Sequence, residues 1–239
     1  MSAHFEELDR RSTPIGEISL RRRLEPAMQI DVYEAKLDDE YLMSSLFTGS
    51  EVALAELGLA RVEGADLDVV VGGLGLGYTA QQVLADARVR SLHVVEALGE
   101  VIAWHERGLL PVSAELTSDP RCHFVKGDFF ALVAGDGGFG PGVPERCHAV
   151  LVDIDHSPHH HLHPSHAGFY TPGGLRRVTA RLQTGGVFGL WSDDPPDDAF
   201  TASVEEAVGP CEAQVVTFPT PYDVGESAST VYFATVDAR

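Results

Sequence analysis

The stretch DVVVGGLGLGYTA, residues 68–80, restricts the fold of this chain more than any other. The β-branched residues Val69, Val70 and Val71 run directly into four glycines, Gly72, Gly73, Gly75 and Gly77. A short apolar run closed by glycine reads as a buried parallel strand. The polar, alanine-bearing segment 79–87 that follows suits a helix. Strand, glycine turn and helix bring backbone N–H groups close to a nucleotide, because a Cβ in the turn would block the approach. Taken alone, the stretch also fits a tight strand-to-helix turn without a ligand, so the rest of the chain has to decide.

From residue 68 onward strands and helices alternate. Strands are predicted at 69–71, 91–95, 122–125, 149–152 and 186–191, and helices at 79–86, 98–107, 129–133 and 172–182. That alternation implies right-handed crossovers and an α/β, doubly wound, mostly parallel sheet. Residues 135–144, rich in glycine and proline, read as a surface loop. Alternating segments at 213–218 and 230–235 predict an antiparallel hairpin ending the sheet. Upstream, 15–20 and 30–37 alternate as two short strands around the basic patch Arg21, Arg22, Arg23. Residues 41–59 carry a helical pattern, and 1–12 read as a disordered tail.

Charge narrows the partners. The 239 residues hold 36 acidic and 17 basic side chains, a net charge of −19. Nucleic-acid binding rests on Lys and Arg neutralising phosphates, so that class is excluded. The balance is compatible with a cationic ligand such as a sulfonium or a polyamine. The scattered Cys122, Cys147 and Cys211 form no CxxC pair, which fits a reducing cytoplasm. No apolar run reaches membrane-spanning length, so no membrane partner is expected.

In an open α/β sheet the ligand lies beyond the carboxyl ends of the strands. After the first strand comes the glycine turn. After the second stands Glu96, about twenty residues on, where a carboxylate can accept from ribose hydroxyls. After the third, Asp128 precedes Phe129 and Phe130, an acceptor beside aromatics that suits an adenine amino group and also an N-cap. After the fourth, Asp153, Asp155 and His156 form a candidate acid–base group. Six histidines crowd residues 156–166, a stretch broken by Pro158 and Pro164. They read as a loop that opens when protonated rather than as a metal site, and no metal is expected.

Together these segments resemble the AdoMet-dependent methyltransferase fold and, more narrowly, the spermidine synthase (polyamine aminopropyltransferase) family. The resemblance rests on VVVGGLGLG, VVEALGEVI, VKGDFFAL, VLVDIDHSP, HAGFYTPGGLRRVTARLQTGGVFGLWS and FPTPYDVGESASTVYF, in that order. It implies that Glu96 binds ribose, Asp128 binds adenine and Asp153 sits by the reacting amine. It also implies a homodimer. On it, Gly72, Gly73, Gly75, Gly77, Glu96, Asp128 and Phe129 form the donor-binding set, for S-adenosylmethionine or its decarboxylated form. Asp153, Asp155 and His156 form the catalytic set. Residues 13–60 become a short N-terminal β/helix extension and 61–239 a Rossmann-like catalytic domain.

The chain also departs from that family. Gly75 stands where the family's turn carries an aspartate, His156 or Asp155 stands for the second loop aspartate, and Gly49 and Ser50 replace a Tyr-Gln pair. Lost carboxylates weaken the case for a polyamine, although Glu51, Asp193 and Asp194 are available to replace them. Methyl transfer asks only for in-line placement and a base, so it is the favoured expectation, with a small-molecule or peptide acceptor. Tyr41, Tyr170, Trp191 and Tyr222 are candidate walls of the acceptor pocket. Aminopropyl transfer is the alternative, and an inactive nucleoside-binding module a further one. Gly75, Gly77 and Ala80 also satisfy G-x-G-x-x-A, but no downstream Lys or Tyr/Lys pair supports hydride chemistry.

Overall fold

A computed structural model describes residues 5–219 and 225–237. Four antiparallel strands come first: β1 (Phe5–Thr13), β2 (Gly16–Glu25), β3 (Ile30–Leu37) and β4 (Glu40–Ser44), ordered β1-β2-β3-β4. Helix α1 (Gly49–Ala60) leads into the main sheet. There β5 (Leu67–Gly72), α2 (Tyr78–Ala85), β6 (Val89–Glu96), α3 (Gly99–Glu106), α4 (Ser113–Ser118) and β7 (Cys122–Lys126) follow in turn. Then come α5 (Phe129–Ala134), β8 (Cys147–Val152), a 3-10 turn (Pro164–Gly168), α6 (Pro172–Thr179) and β9 (Leu182–Ser192). Helix α7 (Asp198–Ala207), β10 (Cys211–Pro219) and β11 (Glu226–Thr235) complete the order.

The main sheet runs β10-β11-β9-β8-β5-β6-β7. Its five strands from β9 to β7 are parallel, while β11 pairs antiparallel with β9 and β10 with β11. All six residues of β5 are buried, as its unbroken apolar run requires of a central parallel strand. Val69 and Val71 face one core and Val70 the other, so the strand is covered on both sides. The chain winds from β5 outward to β7, then crosses back to place β8 on β5's other edge. That reversal opens a crevice between the carboxyl ends of β5 and β8.

Two expectations for the amino-terminal part are overturned. Residues 5–12 are not a tail but most of β1, paired with β2 along its length. Periodicity missed it because its partners are ionic. Glu6 pairs with Arg22, and Asp9 accepts from the buried Trp104 Nε1 (3.0 Å) and from Arg107 (2.9 Å) on the α3 side. The helix expected over 41–59 begins only at Gly49, because residues 40–44 pair with β3 instead. In the small sheet Ile18 lies opposite Leu37 and Leu20 opposite Ala35, and all four join the core under the main sheet. Helices α4 and α7 were not read from the sequence. Helix α4 spans only 6 residues and α7 begins inside a proline- and aspartate-rich stretch.

Candidate active site

The glycine turn departs from β5 along the crevice. Gly73 adopts φ +95°, and a Cβ there would collide with the Asp153 carbonyl, so only glycine lets β5 and β8 meet this closely at their ends. Gly77 caps α2 at φ +93°, and a Cβ would meet His105, Leu116 and Val112 at 2.8 Å. His105, wholly buried on α3, bonds the Gly75 carbonyl through Nε2 at 2.9 Å and pins the turn from below. Gly72 leaves room for the Phe129 ring, 2.9 Å from where its Cβ would be.

Two cavities flank this turn, and Ile154 lines both. The first, of about 310 Å³, lies over the ends of β6 and β7. Glu96 and Asp128 project into its rim, with Phe129 and Phe130 behind them. Glu96 accepts from the N–H groups of Leu74 (3.0 Å) and Leu98 (2.8 Å), which orient its carboxylate. Burial pushes its pKa up, against the pull of those backbone donors. Asp128 caps α5 by accepting from Ala131 N–H (3.1 Å), so the capping role and a place in the cavity coexist. Pro14 and Ile15, in the turn between β1 and β2, close one side of this cavity. Sequence reasoning missed them because nothing in that turn marks a long-range contact.

The second cavity, about 330 Å³, holds Gly75, Glu51, Asp153, His156 and Asp193. Asp153, just past β8, accepts from the Thr79 hydroxyl at 2.6 Å. Glu51, in the first turn of α1, sits near enough for the Asp153 charge to act on it. Burial first and that like charge second push Glu51 up to about 7. Burial likewise raises Asp153, against the Thr79 hydrogen bond. Both pKa values are raised, so the pair resists carrying two negative charges unless a cation lies between them. Among the described residues no Lys or Arg lines this cavity. Tyr41 and Trp191 form part of its wall, as the sequence suggested, and Met43 and Tyr78 join them.

Other candidates are placed elsewhere. Asp155 lines neither cavity, so it leaves the acid–base group. Its buried carboxylate accepts from His166 Nδ1 (2.8 Å), Tyr170 OH (2.8 Å) and Leu162 N–H (2.8 Å). Tyr170 is thereby a buried support rather than a wall of the acceptor pocket. His156 bonds Glu40 at 3.1 Å at the rim of the second cavity. Asp194 is not in its lining, and Tyr222 lies outside the described residues. The histidine loop is held by carboxylates: His156 on Glu40, His159 on Asp197 and His166 on Asp155. Among the described residues no group of three or more His, Cys, Asp or Glu is placed to hold a metal ion, and no helix is long and apolar enough to cross a membrane.

No protein-family model matches the chain, and no curated protein is similar to it in sequence. Solved structures are. A crystal structure of a spermidine synthase in complex with the transition state analogue AdoDATO superposes with a TM-score of 0.71 at 18% identity, covering 96% of this chain and 73% of that one. The spermidine synthase from Thermotoga maritima gives a TM-score of 0.70 at 18% identity, covering 96% and 72%. The likeness is one of fold: a Rossmann-like, mostly parallel sheet with antiparallel end strands. With the four-stranded antiparallel sheet that precedes it, the chain has a spermidine synthase-like fold.

Proposed function

We propose that the protein transfers the aminopropyl group of decarboxylated AdoMet to an amine. The observation that carries this is the Glu51–Asp153 pair, in a cavity adjoining the glycine turn with no described cationic side chain in its lining. The sequence favoured methyl transfer because carboxylates were missing from their expected places. Glu51 brings one back from α1, and Asp193 adds another at the rim. An amine acceptor enters such a site as an ammonium and is held by the pair until it gives up a proton. Its nitrogen then forms a bond to the carbon next to the donor's sulfonium. The C–S bond breaks with its electrons going to sulfur, methylthioadenosine leaves uncharged, and a carboxylate keeps the proton. Glu96 and Asp128 hold the donor's nucleoside in the first cavity, in keeping with the spermidine synthases that share the fold.

One observation favours methyl transfer as a second reading. At Gly75, where the resemblance calls for an aspartate, a Cβ would lie 2.9 Å from Met43 Sδ, so a thioether fills the place of a carboxylate. The two readings separate by product. Incubation with an aliphatic diamine and either donor, followed by mass spectrometry, is expected to yield methylthioadenosine and a lengthened amine from decarboxylated AdoMet. S-adenosylhomocysteine from AdoMet, with no product from the decarboxylated donor, would overturn the proposal.

A further inference from the structure

The histidine loop contributes a side chain to the donor cavity that the chemistry above leaves unused. His166 follows the 3-10 turn's first residues and lines the same cavity as Asp128. Its Nδ1 lies 2.8 and 3.1 Å from the two oxygens of Asp155. Asp155 is itself sealed, with its side chain 0% exposed, and is fixed by Tyr170 and the Leu162 N–H. A carboxylate so placed draws the imidazole proton to Nδ1 and leaves Nε2 as a lone-pair acceptor. The ring lies against Phe130, tilted by 31° with centroids 4.1 Å apart, so its direction is set from the side as well. Nε2 has no hydrogen-bond partner among the described residues and is not sealed from solvent, and the residue lines the cavity. Asp128, which lines the same cavity, uses one oxygen on Ala131 N–H and keeps the other as an acceptor.

We infer that His166 reads the six-position of the donor's purine, accepting through Nε2 a hydrogen bond from the exocyclic amino group, with Asp155 as the positioning residue that fixes the tautomer. The inference rests on the first cavity being the nucleoside site. A 6-amino purine offers two N–H bonds to the two acceptors, Nε2 and the free oxygen of Asp128. A 6-oxo purine turns a lone pair toward them and leaves both unpaired, which a site built to accept hydrogen bonds penalises.

Calorimetric titration with methylthioadenosine and methylthioinosine, which differ only at that position, tests it. The parent protein is expected to prefer the amino form by at least about tenfold. His166→Asn keeps a donor for Asp155 but has no Nε2, and His166→Phe keeps a ring against Phe130. Both are expected to bind the two nucleosides within about threefold of each other. Binding with the parent's preference unchanged in these variants would overturn the role of His166 alone. Failure of the parent to bind either nucleoside would overturn the donor-site reading itself. Should the variants not fold, nitrogen NMR of the parent decides: the His166 Nε2 resonance is expected to move with methylthioadenosine and not with methylthioinosine. No movement with either bound would overturn the inference.

Discussion

Glu51 carries the conflict between stability and function in its clearest form. Its pKa in the fold, about 7, is above the ordinary 4.5, so between those values the folded chain holds a proton that the unfolded chain has released. Stability from this group is therefore full in mild acid, falls as pH rises toward 7 and stays low above it. Glu51→Gln removes the conflict. It is expected to raise unfolding free energy by roughly 1–3 kcal/mol at pH 8 and to change little at pH 5, as read by urea denaturation. The same variant is expected to lose amine binding, and an equal stability change at both pH values would contradict the coupling. Asp153→Asn is expected to cut turnover by about a hundredfold or more while methylthioadenosine binding stays within about threefold. Retained turnover would move the proton acceptor from Asp153 to Glu51. The sequence shows both carboxylates and even offers Glu51 as a replacement charge. Their coupling depends on α1 packing beside the crevice, 102 residues away from Asp153 in the chain, and no local pattern records that.

Elements differ in how openly the sequence declares them. The buried strands β5, β6 and β8 are short β-branched runs ending in glycine or acid, and local pattern is enough to place them. Strand β1 is polar on both faces and is held by ion pairs to β2 and by Asp9 at Trp104, contacts that exist only after folding. Asp9→Ala leaves the Trp104 N–H buried without a partner, so a loss of about 1–3 kcal/mol is expected in chemical denaturation. Because the β1–β2 turn walls the donor cavity with Ile15, weaker methylthioadenosine binding should accompany that loss. Stability and binding both unchanged would show that β1 is not anchored there. The glycine turn makes the opposite case, legible in sequence and strict in structure. Gly77→Ala combines a φ of +93° with 2.8 Å contacts to three packed side chains, so donor binding is expected to disappear together with at least about 2 kcal/mol of stability. A variant that binds methylthioadenosine normally would mean the turn does not shape the donor site.

Across the whole molecule, the order β10-β11-β9-β8-β5-β6-β7 brings the glycine turn, Glu96, Asp128 and Asp153 to one rim of the sheet. Alternation of strand and helix makes that convergence legible, since ligands lie at the carboxyl ends and the candidates were sought there. The exception, Asp155, shows the limit: a residue two places past Asp153 points into the loop beneath and serves as its anchor. The charge of −19 says only that a cation is welcome somewhere, while the second cavity gives that preference a place. The most direct measurement is therefore the affinity of the purified protein for decarboxylated AdoMet against AdoMet, by calorimetry at pH 8. The extra carboxylate of AdoMet meets Glu51 and Asp153 without a described cation to offset it, so the decarboxylated donor is expected to bind at least about tenfold tighter, with the gap narrowed in Glu51→Gln. Equal affinity, or a preference for AdoMet, would contradict the account.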